Sequence, residues 1–260
     1  MSDLKIGIVG AAGRMGRMLV KQVSETAGCV ISGGTEPAGS PFAGKDITAL
    51  AGLDASGILI GEDPAALFET ADAVIDFTAP EATIAHARLA AEKGKIHIIG
   101  TTGLTNEQQA QVTACGDRAV IVQGANMSLG VNLLAQLTRK VAHILDDEFD
   151  IEILEMHHHH KVDAPSGTAL LLGKAAAAGR GVDHDQVADR GRDGITGARK
   201  RGDIGYAVLR GGNVVGDHTV IFAAENERIE LTHKAGDRSI FARGAVRPSG
   251  QGEKRPEITI

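Results

Sequence analysis

The sequence predicts an α/β chain: a doubly wound parallel sheet in its first half, then an α+β domain with a mixed or antiparallel sheet. Three observations carry this. Short apolar runs alternate with helix-period segments as far as about residue 125; the rest turns to longer strands joined by brief polar connections; and 260 residues, 43% of them hydrophobic, suffice for two modest domains. With six Phe, one Tyr and no Trp, the cores must be filled by Ala, Val, Ile and Leu. The 34 glycines point to tight turns and close backbone approaches.

Ile6–Val9 is the first strand and ends in glycines; Met15, Met18, Leu19 and Val23 then recur at near-helical spacing up to Gly28. Cys29–Ser32 and Ala73–Phe77 read as the next strands, the latter followed by Thr78 as N-cap candidate, Pro80 in a first turn and a helix ending near Gly94. Ile96–Ile99 and Ala119–Val122 repeat the pattern around a helix capped by Thr105. Buried strands alternating with helices imply a parallel sheet covered on both faces. In the second half a helix over Leu129–Leu145 leads into the strand Phe149–Met156. Tyr206–Arg210, Val214–Ala223 and Arg228–His233 follow, joined by Gly211–Asn213 and Glu225–Glu227, connections short enough to predict antiparallel neighbours. Asp189–Asp203, rich in Gly and Arg, reads as a mobile loop. The expected domains are 1–128 with 237–260, and 129–236.

A net charge of −6 and a pI near 5.9 argue against a phosphate-backbone binder, and scarce aromatics against a single-stranded nucleic-acid platform. No apolar run reaches the ~18 residues of a membrane span. The N-terminus lacks a basic region followed by a long apolar one. Cys29 and Cys115 make no disulfide framework and read as inert thiols. The expectation is a cytoplasmic protein that engages neither nucleic acid nor membrane.

Gly10-Ala11-Ala12-Gly13-Arg14-Met15-Gly16 lies between the first strand and the first helix. Its spacing, G-x-x-G-x-x-G, is one residue away from the usual dinucleotide fingerprint, but the physics is shared: glycines admit a tight turn, and free N–H groups at a helix start favour a pyrophosphate. Any tight strand-to-helix turn produces such a pattern. Glu36, 20 residues after Gly16 and just past the second strand, adds an acceptor for ribose hydroxyls, against the bland reading of a solvated carboxylate. Together they favour a Rossmann-like dinucleotide-binding domain.

The densest chemistry is Glu155-Met156-His157-His158-His159-His160-Lys161-Val162-Asp163-Ala164-Pro165-Ser166-Gly167-Thr168. Adjacent side chains on an extended chain point to opposite faces, so the four histidines cannot converge on one ion, and no zinc-type spacing is present; no metal is expected. His159 and His160 read as solvated or hydrogen-bonding residues. The run offers an imidazole as general acid, a lysine cation and a probable helix start at Ser166-Gly167-Thr168 for a carboxylate, which suits a small di-acid.

These residues resemble the dihydrodipicolinate reductase family (4-hydroxy-tetrahydrodipicolinate reductases) of the diaminopimelate route to lysine. The resemblance runs from about Ile6 to Arg247 through G-x-x-G-R-M-G, Asp76-Phe77-Thr78, Gly100-Thr101-Thr102-Gly103, Glu155–Leu170, Val215–Thr219 and Thr232–Ala235. It implies a nicotinamide cofactor along Gly10, Ala11, Ala12, Gly13, Arg14 and Met15 with Glu36 on the ribose. Gly100, Thr101, Thr102, Gly124, Ala125, Asn126 and Met127 would line the nicotinamide end. It further implies hydride transfer to an unsaturated cyclic dicarboxylate, protonation by His157 assisted by Lys161, and carboxylates held by His158, Gly167 and Thr168. Domain closure over the ligands and a homotetramer built through the second domain's sheet are also implied.

Two departures from the family pattern stand out. Pro37 occupies the place where relatives that use NADPH well often carry a basic residue, so NADH is the expected donor and NADPH the poorer one. Past Gly244–Arg247, where relatives continue with apolar and aromatic residues, Pro248–Pro256 is polar and rich in breakers. Against the reductase stand a metal-dependent hydrolase built on His157–His160 and a non-catalytic NAD-sensing module.

Overall fold

Five short Ile- and Val-rich runs build the first sheet of the computed structural model, which describes residues 2–249. β1 (Leu4–Val9), α1 (Arg14–Ser24) and β2 (Cys29–Thr35) open it. The short α2 (Ile47–Leu50) and α3 (Pro64–Thr70) precede β3 (Ala73–Asp76), α4 (Pro80–Lys93), β4 (Ile96–Ile99), α5 (Asn106–Cys115) and β5 (Val120–Gln123). The strands are all parallel in the order β2-β1-β3-β4-β5, so the winding reverses between β1 and β3. Ligands of such sheets bind beyond the carboxyl ends of the strands at that reversal.

Both faces of the sheet are buried. Ile6, Ile8, Ile75 and Ile98 pack with Leu19 and Val23 of α1 and with Ala242, Ala245 and Val246; Val9, Val74 and Ile99 pack with Phe68, Ala87 and Ala90. A fully buried Phe or Ile contributes roughly 1.5–3 kcal/mol, and aliphatic volume does almost all the filling. α2 and α3, which the apolar pattern does not reveal, are capped by Asp46 and Asp63, whose carboxylates accept first-turn N–H groups. Thr105 caps α5 in a reciprocal box with Gln108. Thr78 is not the cap of α4: that residue is Ala79, Pro80 follows at the first helical position, and Gly94 closes the helix at φ +63°. The Thr78 hydroxyl turns back to Asp76 instead.

The second sheet comprises β6 (Asp150–His157), β7 (Ala188–Asp189), β8 (Ile204–Arg210), β9 (Asp217–Ala223) and β10 (Arg228–Lys234), with α6 (Leu129–Ile144), α7 (Gly167–Arg180) and α8 (His184–Val187) between them. Its order is β10-β9-β6-β8-β7. β9 and β10 are antiparallel neighbours, but β8 and β9, expected to pair, are separated by β6, which runs parallel to β8 and antiparallel to β9. The connection over 211–216 is long enough to step across one strand, about 10 Å for two spacings. Burial alternates along β6: Ile151, Ile153, Glu155 and His157 are buried, the residues between them only partly. Ile151 and Ile153 pack with Leu172, Ala176 and Ala177 of α7. The segment over 190–203 is pinned to β6: Arg192 pairs with Glu152 at 2.8 Å, and Arg199 with Asp150 at 2.7 Å and Glu152 at 2.9 Å.

The chain divides into two units, the second being Ser128–Arg238 and the first formed by the described residues on either side of it. α9 (Ser239–Ser249) returns to the first unit and packs on α1. The polar stretch over 250–256 lies outside the described residues. Among those described, no helix is long and apolar enough to cross a membrane.

Candidate active site

The glycine segment occupies the turn from β1 to α1. Gly10 sits at φ +68°, a left-handed value that costs a residue with a side chain roughly 1 kcal/mol or more. Its N–H donates to the Thr35 carbonyl, and the Gly13 N–H to the Gly10 carbonyl. At Gly16 a Cβ would overlap the carbonyl oxygens of Gly10 and Ala11, so only glycine lets α1 begin so close to the strand. Gly13 is the N-cap and offers no side chain, which leaves first-turn N–H groups without intrahelical acceptors, the arrangement that suits a pyrophosphate. Ala11 and Ala12 are buried, Arg14 is exposed and Met15 half-buried. Glu36 Oε1 accepts the Ala12 N–H at 2.8 Å, so the acidic side chain is tied to the glycine turn with its second oxygen unpartnered among the described residues. Arg17 is committed: Nε donates to the Ala12 carbonyl at 2.8 Å, and its guanidinium lies 5.5 Å from the Phe42 ring centre.

Beyond β4, Thr102 is exposed and Gly100 half-buried, but Thr101 is buried. Its hydroxyl meets Thr83 at 2.8 Å, the Thr78 N–H at 3.1 Å and Asp76 at 3.3 Å, so Thr101 has only backbone to offer a cofactor. Beyond β5, Gly124 is buried, Ala125 exposed and Asn126 half-buried. The Met127 side chain, 3% exposed, packs in the core, which leaves its main chain to face a ligand.

In the second unit Glu155 and His157 stand two apart on β6 and so share its buried face. Glu155 is fully buried and receives four donors: Arg210 Nη1 at 2.8 Å, Arg210 Nη2 at 3.0 Å, the Ser166 N–H at 3.0 Å and His157 Nδ1 at 2.6 Å. Burial pushes its carboxyl up, but the bonds from His157, Arg210 and Ser166 outweigh burial and hold it at about 2. An anionic acceptor at Nδ1 makes that nitrogen the donor and leaves Nε2 of His157 for chemistry. A Cβ on Gly216 would approach Nε2 to 3.0 Å; the missing side chain keeps that atom uncrowded.

His218 lies edge-on to His157 with centroids 5.1 Å apart, and its Nε2 meets Ser166 Oγ at 2.9 Å. Burial first, then the neighbouring His157 charge, pushes it down to about 4. Ser166 caps α7 by accepting the Ala169 N–H, so Gly167 and Thr168 form the helix's first turn. His158 is half-buried, 3.4 Å from Arg238 Nη2, and lowered by burial and then by that guanidinium. His159 and His160 are exposed; Nδ1 of His159 donates to the Gly212 carbonyl at 2.9 Å. Lys161 Nζ donates to Asp163 at 2.7 Å. One unit therefore holds a carboxylate-oriented imidazole, a lysine, an arginine beside a histidine and a helix N-terminus, the parts of a proton donor with an anion clamp. Reasoning from sequence missed Arg210, His218 and Arg238 as parts of this cluster.

Comparison with known proteins agrees with this division. A family model described as "Dihydrodipicolinate reductase, N-terminus" matches residues 4–127, and one described as "Dihydrodipicolinate reductase, C-terminus" matches residues 130–257. The chain is 58% identical over 247 residues to a 4-hydroxy-tetrahydrodipicolinate reductase of Rhodopseudomonas palustris (strain BisB18), covering 95% of this chain and 91% of that one. It is 57% identical over 255 residues to the enzyme of that name from Parvibaculum lavamentivorans, covering 97% and 94%. A dipicolinate-bound dihydrodipicolinate reductase from Paenisporosarcina sp. TG-14 shares the fold at TM-score 0.73 and 23% identity, over 95% of this chain and 94% of that one. With both halves matched and curated relatives alike over almost its whole length, the chain belongs to the dihydrodipicolinate reductase family.

Proposed function

We propose that the chain reduces 4-hydroxy-tetrahydrodipicolinate to tetrahydrodipicolinate, the 4-hydroxyl leaving as water, with NADH as preferred hydride donor, and that His157 supplies the proton. The observation that carries this is the buried Glu155–His157 pair at 2.6 Å, within the histidine-lysine segment of a chain that belongs to a reductase family. When bound, the reduced nicotinamide supplies the hydride. The first unit binds it: the turn over Gly10, Ala11, Ala12, Gly13, Arg14 and Met15 receives the pyrophosphate at the first-turn N–H groups of Arg14 and Met15, and Glu36 holds the adenosine ribose through its second oxygen. Gly100, Thr101 and Thr102, with Gly124, Ala125, Asn126 and Met127, line the nicotinamide end, Thr101 and Met127 through their main chains. Pro37 leaves Glu36 without a neighbouring cation, and Arg17 is stacked on Phe42, so a 2′-phosphate would meet an uncompensated carboxylate.

In the second unit Glu155 orients His157, whose Nε2 delivers the proton while Lys161 supplies positive charge. His158, Gly167 and Thr168 hold the carboxylates at the start of α7, where the positive end of the helix dipole favours anions. We place the protein in the cytoplasm as a homotetramer built through the second unit's sheet. The test is NADH oxidation with freshly generated substrate, comparing the unmodified chain with His157→Ala and Lys161→Ala. Loss of kcat in both supports these roles; full activity in either removes that residue from the chemistry. Equal or better kcat/KM with NADPH would overturn the cofactor preference.

A further inference from the structure

A buried charge in the first unit takes no part in that chemistry. Asp76, the last residue of β3, is 0% exposed, and five donors converge on it. Oδ1 accepts the Thr78 N–H at 2.9 Å, the Thr78 hydroxyl at 2.6 Å and the Thr101 hydroxyl at 3.3 Å. Oδ2 accepts His86 Nδ1 at 2.8 Å and His97 Nε2 at 3.2 Å. An ionised carboxylate only accepts, so Nδ1–H of His86 and Nε2–H of His97 are the tautomers present. His97 Nδ1 then carries a bare lone pair, in keeping with its being buried without a partner among the described residues. Burial keeps the His97 ring neutral by pushing it down.

Asp76, His86 and His97 also form a trio whose ligand atoms all lie within 4.8 Å of one another. A shared ion fits poorly. Tetrahedral zinc with bonds near 2.0–2.1 Å spaces its ligands about 3.3 Å apart, whereas Asp76 and His86 stand at 2.8 Å, a hydrogen-bond distance.

The carboxylate ties together the turns that follow two adjacent strands. Through Thr78 it fixes the turn after β3, where the Thr78 methyl lies 3.0 Å from the place a Cβ on Gly10 would occupy. Through Thr101 it fixes the turn after β4, where Gly100 packs against the Phe77 ring so closely that a Cβ would overlap it. Both turns lie at the carboxyl edge of the sheet beside the β1/β3 reversal, where ligands of this architecture bind. For stability alone, apolar side chains of similar volume often do as well as a buried charge and its hydrogen-bond partners. What the charge adds is a single arrangement of both turns.

We propose that Asp76, with His86 and His97, is a positioning network that sets the Phe77–Thr78 and Gly100–Thr101 turns for the nicotinamide half of the cofactor. The proposal rests on the reading that Gly100–Thr102 line that end. The nitrogen in use supplies an unusual control: an Asn amide sits where Nδ1 of histidine does and a Gln amide where Nε2 does. His86→Asn and His97→Gln therefore retain the bond to Asp76, while His86→Leu and His97→Leu lose it.

The experiment measures kcat, KM for both substrates, the isotope effect with 4-deuterated NADH, melting temperature and bound zinc for these variants, Asp76→Asn and Thr101→Val. Expected is a fall in kcat per folded molecule of at least about tenfold for Asp76→Asn, His86→Leu and Thr101→Val. A larger isotope effect and an unchanged KM for the dicarboxylate should accompany it, with His86→Asn restored to within about threefold. Thr101→Val serves where Asp76→Asn does not fold. Lower melting temperatures with kcat and isotope effect unchanged would overturn the proposal, as would stoichiometric zinc whose removal abolishes activity. Gly13→Asp separates the layers: if it leaves NADH affinity intact, the cofactor placement fails and the proposal with it. If it abolishes NADH binding while Asp76→Asn and Thr101→Val turn over normally, the network alone fails.

Discussion

Replacing Glu155 with Gln tests the heart of the second unit with almost no change of shape. The carboxylate takes donors on both oxygens: His157 and Arg210 on Oε2, Ser166 and Arg210 on Oε1. A glutamine amide must turn its NH2 toward one of these pairs, so donors face donors whichever way it lies. The charge is also lost beneath Arg210, whose side chain is 21% exposed. The carboxyl moves from its ordinary 4.5 to about 2 on folding, which amounts to about 3 kcal/mol at neutral pH. Removing one partner of a buried pair costs about 3–5 kcal/mol, so the melting temperature should fall by roughly 10 °C. Activity should fall further than the folded fraction does. The bond that holds Nδ1 of His157 as donor and Nε2 toward the substrate is lost when the amide NH2 faces the ring and is no longer charge-assisted when the amide oxygen does, and kcat per folded molecule should drop at least about 100-fold. NADH oxidation read beside thermal unfolding separates the two effects, and 15N shifts of the imidazole report the tautomer. A kcat within about threefold of the unmodified chain, with the Nδ1–H tautomer retained, would refute the claim that Glu155 orients the acid.

Three further outcomes follow from the same geometry. Gly216→Ala sets a methyl about 3.0 Å from His157 Nε2 and should lower kcat about tenfold while leaving the thermal transition nearly in place; unchanged kcat would show that Nε2 is not the reacting atom. Gly16→Ala drives a methyl into the Gly10 and Ala11 carbonyls, so NADH affinity measured by fluorescence should drop with stability, by about 1–3 kcal/mol; a fully stable variant with intact affinity would contradict the close approach. His218 is pushed down to about 4 from 6.5, first by burial. Between those values the unfolded chain takes up the proton that the folded chain refuses, so stability falls as pH drops through that window, by up to about 3 kcal/mol. The Glu155 contribution is present above about 4.5 and lost as pH falls toward 2. Urea midpoints from pH 8 to pH 4 measure this, and a flat profile would mean that His218 is hydrated.

The parallel half of the fold is legible because strands buried on both faces are short, mostly apolar words: Ile6–Val9 and Ile96–Ile99, interrupted only by Gly7 and His97, can be little else. The second sheet is less so. Turn length pointed to β8 and β9 as neighbours, yet a six-residue connection also spans one strand, and nothing local says that β6 fills the gap. The same limit governs the sites. A glycine pattern announces a turn and a histidine run announces chemistry, since both are contiguous. Glu155 was visible beside His157, and the period of two along β6 places both on one face, but its partners come from elsewhere: His218 stands opposite Glu155 in the β9 register, and Arg210 reaches it from the end of β8. Thr78, Thr101 and Met127 show the converse. Each lies in a segment that the sequence marks for capping or cofactor binding, and each turns its side chain inward, two of them toward Asp76 and one into the core. A motif places backbone at a ligand; which side chains are spent holding that backbone depends on buried partners such as His86 and His97, whose separation along the chain hides them. The Thr78 and Thr101 side chains are thus the means by which a buried carboxylate shapes two turns.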